Sequence, residues 1–160
     1  MDAAKFAKLK DFLQVVYMRE LPLIVFGNVK GICPCACVNN SRVLKNAAEY
    51  LELFTAITTP KVAIVYKKAI GLGYTVFASK SIGFDYTCAF ANAKIALFDG
   101  EQGAQIEFGN SGVDKAALAA KYVDENSDPV NAAKDGYIDA IIEPQFVKQY
   151  IIASLQMLAE

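Results

Sequence analysis

Apolar residues recur at helical spacing over residues 2–19, where Phe6, Leu9, Phe12, Leu13, Val16 and Tyr17 share a face and Asp2 occupies an N-cap position. The next run, PLIVFGNV, is short, nearly all apolar and opened by Pro22, which predicts a buried strand. KGICPCACVNNS has turn residues and no period, so it predicts a loop ending near Ser41, a candidate helix cap. A second helical pattern over residues 42–57 aligns Leu44, Ala47, Ala48, Leu51 and Phe54. It stops before Pro60, which disfavours helical geometry at Thr59. KVAIVY then reads as a second strand. A helix of this length between two apolar strands predicts a parallel βαβ crossover with both sheet faces covered.

Beyond Gly71-Leu72-Gly73 the pattern predicts a short helix, then strand pieces FDYTCAF and AKIALF, then a turn or helix in DGEQGAQIEF. Residues 114–126 form a polar helical pattern broken at ENSDP, NAAKDG makes a short helical turn closed by Gly136, and YIDAIIEP is a last strand. Val147, Tyr150, Ile151, Leu155 and Leu158 align on a final helix. No repeat, low-complexity segment or linker interrupts the series. Residues 1–160 are therefore expected to form a single α/β domain.

Composition narrows the chemistry. The net charge of −1 gives no basic field for nucleic acid. No apolar run approaches the roughly 20 residues of a membrane helix. MDAAKFAKLKDF lacks a signal-peptide core, so a cytoplasmic location is expected. In that compartment Cys33, Cys35, Cys37 and Cys88 are expected to be free thiols. The Cys-x-Cys-x-Cys spacing is tighter than zinc sites favour, so no metal is assigned, with metal binding and a redox switch left as alternatives. The chain has no histidine, which removes Ser-His and Cys-His nucleophile pairs and imidazole acid–base chemistry. Carboxylates, lysines, tyrosines and the backbone remain.

The backbone has one conspicuous opportunity. A loop that leaves a parallel strand and starts a helix points N–H groups outward at the helix end carrying partial positive charge, where phosphates or developing oxyanions bind. Gly71-Leu72-Gly73 is such a junction, and Gly27-Asn28-Val29-Lys30-Gly31 after the first strand is another. If the two strands are parallel neighbours, both loops open on one sheet edge. The alternative is that the glycines serve only a tight turn and close packing. There is no third glycine of a dinucleotide fingerprint and no Walker lysine-serine pair. Asp85, Asp99, Glu101 and Asp139 are candidate acids or bases, with capping or solvated roles as the alternative. Lys67 and Lys68 are candidates for the phosphates of a ligand, or plain solvated lysines, and Tyr74 for the pocket or the core.

KKAIGLGYTVFASKSIGFDYTCAFANAKIALFDGEQGAQIEF resembles a stretch of the biotin-dependent acyl-CoA carboxyltransferases. In that family it runs Arg-Lys-Ala-Tyr-Gly-Gly-Ala-Tyr, a serine-lysine, an aspartate strand, an Ala-x-Ala-x-Ile-Ala strand and a Gly-x-x-Gly-Ala turn. NAAKDGYIDAIIEP and AAKFAKLKDFLQVVYMRELPLIVFGNVKGI are similar to the flanking segments of the same half. The resemblance implies a crotonase-like ββα superhelix, matching the carboxyl-terminal half of propionyl-CoA and acetyl-CoA carboxylase subunits. It implies transfer of a carboxyl group between carboxybiotin, held on a biotin carboxyl carrier protein, and an acyl-CoA. The family holds its oxyanions with backbone N–H groups. By position, those of Leu72 and Gly73 become the catalytic donors, with Gly31, Ile32, Gly71, Tyr74 and Thr75 binding substrate. A homotrimer or hexamer, or a separate subunit supplying the amino-terminal half, is implied as partner.

The departures are specific. The family's paired glycines are Gly71 and Leu72 here, its next alanine is Gly73, the tyrosine before them is Ile70, and an aspartate associated with acyl choice is Thr75. The proline of Pro-Gly-Phe is Lys30, and an Arg-His-Gly-Ala-Lys stretch is Lys45-Asn46-Ala47-Ala48-Glu49. Two readings stand. One is a carboxyltransferase subunit, and the other is a non-catalytic crotonase-like protein that keeps the fold and an acyl-CoA or biotin pocket.

Overall fold

The computed structural model describes residues 2–31, 41–109 and 114–159. Ile32, Cys33, Cys35 and Cys37 lie outside the described residues. Helix α1 (Ala3–Met18) is capped by Asp2, whose side chain accepts from the Lys5 N–H. Strand β1 (Leu23–Val29), helix α2 (Ser41–Ala56) and strand β2 (Lys61–Ile70) follow as the βαβ unit that the pattern predicts. Ser41 is itself the first residue of α2 rather than its cap.

The sheet is parallel throughout, in the order β1-β2-β3-β5, with β3 at Tyr86–Phe90, β5 at Ala140–Ile142 and β4 (Lys94–Ala96) paired to the far end of β2. β2 runs four residues beyond KVAIVY. The register slips between Gly27, opposite Val65, and Val29, opposite Ala69. Lys67 is therefore carried out to solvent and Ala69 and Ile70 return to the core. The later strands are shorter than the apolar runs that predict them, because their ends make specific turns. Asp85 exchanges bonds with Lys61, whose N–H donates to Asp85 Oδ2 at 2.8 Å while the Asp85 N–H donates to Lys61 O at 2.9 Å.

The remaining helices are α3 (Leu72–Ala78), α4 (Gly100–Phe108), α5 (Lys115–Asn126), α6 (Pro129–Lys134) and α7 (Val147–Leu158). One core joins α1 and α2 to the sheet through an aromatic chain, Phe6–Tyr50–Phe54–Phe84, with ring centroids 5.9, 6.0 and 4.9 Å apart. On the opposite face Val147 and Ile151 of α7 pack against Ile64, Cys88 and Ile142. Two helical faces differ from expectation. Phe12 and Tyr17 of α1 flank the buried stripe Phe6–Leu13–Val16 and are half exposed. In α2 the stripe is rotated by one residue, because Val43 and Tyr50 fill the core and Leu44 points outward. Cys88 is a buried free thiol, pushed up to about 11 by burial. No helix among the described residues is long and apolar enough to cross a membrane.

Candidate active site

The two glycine loops meet, as parallel pairing of β1 and β2 requires. Gly71 caps α3 at φ 52°, a conformation that suits glycine, and its N–H donates to Ala96 O at 2.9 Å. Its own carbonyl accepts the N–H groups of Tyr74 at 3.0 Å and Thr75 at 3.2 Å. Gly73 is buried against the end of β1. A methyl group added there would stand 2.7 Å from Val29 O and 3.0 Å from the Gly31 amide nitrogen. The close-packing role weighed for these glycines is therefore real, and it coexists with an open helix end. Among the described residues, no carbonyl accepts the N–H of Leu72 or of Gly73. These are the first two amides of α3, which have no partner inside the helix.

A cleft of about 400 Å³ lies beside them, with Gly71, Tyr74, Thr75, Ile95, Leu97 and Tyr137 among its lining. Tyr74 and Thr75 both line this cleft. The Tyr74 hydroxyl donates to Tyr137 O at 2.7 Å, and burial pushes it up to about 12, so it stays protonated at neutral pH. Leu72 is 57% exposed at the same end of α3. Asp135, Asn126 and Asn131 supply polar lining, and among the described residues no lysine or arginine does. These residues come from α5, α6 and the turn after it, with no local signal except Tyr137, which sits in the segment resembling the family's ending.

The candidate carboxylates work elsewhere. Asp99 caps α4 at Gly100 N, 3.0 Å away, and meets Lys68 at 4.0 Å. Asp139 accepts from Thr87 N at 2.9 Å and from Lys80 Nζ. Neither Lys67 nor Lys68 lines the cleft. Glu101 lines a larger hollow of about 580 Å³ between α4 and α5, to which neither glycine loop contributes. Among the described residues no group of three His, Cys, Asp or Glu is placed to hold a metal. The site is thus made of main-chain amides, a tyrosine wall and short polar side chains.

Comparison with known proteins gives this arrangement its setting. Methylmalonyl-CoA decarboxylase subunit alpha of Veillonella parvula is 30% identical over 152 residues, which cover 95% of this chain and 30% of that protein. The human mitochondrial propionyl-CoA carboxylase beta chain is 32% identical over 141 residues, 88% of this chain and 26% of that one. This chain therefore spans less than a third of either relative. Among solved structures, transcarboxylase 12S, described as a hexamer with methylmalonyl-coenzyme A and methylmalonic acid bound, superposes with a TM-score of 0.91. It is 25% identical and covers 99% of this chain and 31% of its own. The beta subunit of geranyl-CoA carboxylase from P. aeruginosa shares the fold at a TM-score of 0.87 and 18% identity, over 100% of this chain and 32% of its own. These neighbours bear out the crotonase-like α/β class, and because the family described as the carboxyl transferase domain matches residues 2–160, the chain belongs to that family.

Proposed function

We propose that this chain supplies the biotin-side half of a carboxyltransferase site. Carboxybiotin, presented by a separate carrier protein, supplies the carboxyl group that is exchanged with the α-carbon of an acyl-CoA. The observation that carries the reading is the pair of N–H groups at Leu72 and Gly73, which no carbonyl among the described residues accepts, beside an open cleft. Negative charge that develops on a carbonyl oxygen held there is stabilised by amides already in place, each worth roughly 2.7–4 kcal/mol. The residues present fit a ureido group. Two amides match one carbonyl oxygen, and the Asn126 and Asn131 side chains, whose amide nitrogens donate to Tyr122 O and Glu125 O, add uncharged polar lining. A chain without histidine is suited to this chemistry, because the donors need no proton transfer.

Gly31 belongs to the facing loop in this reading, and Gly71, Tyr74 and Thr75 to the substrate wall. The thioester-side amides come from elsewhere: a second copy within a trimer or hexamer, or another subunit. Residues 1–160 act as one domain, and the setting is cytoplasmic, in keeping with the unpaired Cys88. A non-catalytic, ligand-holding role is favoured by one feature, the exposed Leu72 side chain where the family has glycine.

Leu72→Pro tests the reading. It deletes one donor at the first helical position, where proline is tolerated. With a biotin carrier and propionyl-CoA or methylmalonyl-CoA supplied, carboxyl exchange should fall about 10²- to 10³-fold with an unchanged circular dichroism spectrum. Exchange that survives this change removes the amides from the mechanism. Absence of exchange in the parent protein with every carrier and subunit tried leaves the ligand-holding role.

A further inference from the structure

The cleft has a second wall that the amide loops do not provide. Tyr137 stands there, 55% exposed, and its main chain is fixed at both ends. The N–H donates to Ala132 O at 2.8 Å, and the carbonyl accepts the Tyr74 hydroxyl at 2.7 Å. The two rings meet edge to face, with centroids 6.0 Å apart and planes at 79°. Tyr74 lies in the first turn of α3, next to Gly73. One hydroxyl therefore ties the helix that carries the amides to the segment forming the opposite wall, across 63 residues of chain.

That bond joins two residues of the cleft lining. Without it the Tyr137 carbonyl turns to water and the ring loses the edge contact that orients it. An aromatic face suits a flat or apolar group. The lining agrees: among the described residues it holds one carboxylate, Asp135, and no basic side chain, so nothing in it anchors the phosphates of a ligand. We propose that Tyr74 is a positioning residue that holds Tyr137 as the wall against which the flat or apolar part of the ligand, ureido ring or acyl chain, is seated. The proposal rests on the carboxyl-transfer reading above. An acyl chain and a ureido ring share this chemistry, so both are used as probes.

The test titrates the parent chain, Tyr74→Phe, Tyr137→Leu and the double variant with biotin methyl ester and, separately, with propionyl-CoA, following amide resonances. KM and kcat for carboxyl exchange are measured on the same proteins with carrier present. Tyr74→Phe should weaken whichever probe the parent binds by about tenfold, the scale of one lost hydrogen bond. It should raise KM by the same factor and leave kcat nearly unchanged, the signature of lost uniform binding. Tyr137→Leu should behave alike, and the double variant should be no worse than Tyr137→Leu, since both changes remove one device. Tyr137→Phe, which keeps the ring, should restore most of the affinity lost with leucine. Unaltered binding in Tyr74→Phe, or additive losses in the double variant, overturns the positioning role while leaving carboxyl transfer intact. A parent protein that binds neither probe overturns the seating of a group in this cleft altogether.

Discussion

The Cα of Gly103 lies under the ring of Tyr122: a methyl group added to the glycine would stand 2.1 Å from Cε1 and 2.2 Å from Cζ. Tyr122 is buried at the contact between α4 and α5, and Gly100 one turn earlier is pressed against Val123 in the same way. The Gly-x-x-Gly-Ala segment of the resemblance thus lets α4 pack closely on α5.

Gly103→Ala should be among the most destabilising single-methyl additions in the chain. Overpacking of this kind costs about 1–3 kcal/mol, and a planar ring has little freedom to yield. For a chain of this size the upper figure corresponds to a fall of roughly 6–12 °C in Tm. Thermal unfolding checks it. Because the clash is with the ring, Gly103→Ala combined with Tyr122→Ala should lose less than the two separate losses added together.

Gly73→Ala probes the same physics at the site. Its added carbon would meet Val29 O at 2.7 Å, and a main-chain oxygen in a paired strand cannot swing aside. The first turn of α3 should lift from β1, costing about 1–3 kcal/mol. Faster hydrogen exchange at residues 71–75 than elsewhere in the sheet would show it. A loss spread evenly over the whole molecule would place the strain elsewhere.

Most of the fold is written in local pattern. Asp2, Asp99, Asp114 and Asp128 each cap the helix that follows, and the apolar runs PLIVFGNV and KVAIVY are the adjacent parallel strands they resemble. What local pattern misses is long-range. Nothing in KKAI says that the strand continues past two lysines, since that depends on a register slip against β1. The rotation of the α2 stripe follows from Tyr50 packing between Phe6 and Phe77, contacts that no window of sequence contains. The amide end of α3 is legible from the glycines, whereas the Tyr137 wall is assembled from residues some sixty positions later. Tyr74 is the link between the two, and its bond to a backbone carbonyl leaves no sequence signature.

Lys61 is a polar residue held almost wholly inside. It is 6% exposed, its Nζ donates to Ile57 O just past the end of α2, and it sits 5.4 Å from the centre of the Phe54 ring. The ammonium satisfies a carbonyl at the negative end of the helix and faces an aromatic surface. Lys61→Met keeps most of the aliphatic packing but orphans that carbonyl, so it should cost about 1–3 kcal/mol. Chemical denaturation gives the number. A cost near zero would mean that water replaces the ammonium, in which case the Ile57 carbonyl is more accessible than its surroundings indicate.

Alkaline pH should unfold this protein through its tyrosines. Burial raises the phenols of Tyr50, Tyr74 and Tyr86, the last two to about 12, from the ordinary 10.0, and raises the Cys88 thiol to about 11 from 9.0. In each case the neutral form is favoured by folding. The stabilisation is complete below the unfolded values and is lost as pH climbs through the folded ones, because the unfolded chain releases protons first. Stability should therefore begin to fall above about pH 9, where unfolded Cys88 starts to ionise, and fall more steeply above about pH 10 as the tyrosines join it. Tyr50 is the most deeply buried of the three phenols, and in the unfolded chain it ionises within this range. Tyr50→Phe should flatten the slope near pH 11 by close to one proton, about 1.4 kcal/mol per pH unit. Urea unfolding across the alkaline range, with tyrosinate absorbance read on the folded protein, measures both sides of the linkage. An identical slope in Tyr50→Phe would show that the Tyr50 phenol ionises as readily inside the fold as outside it.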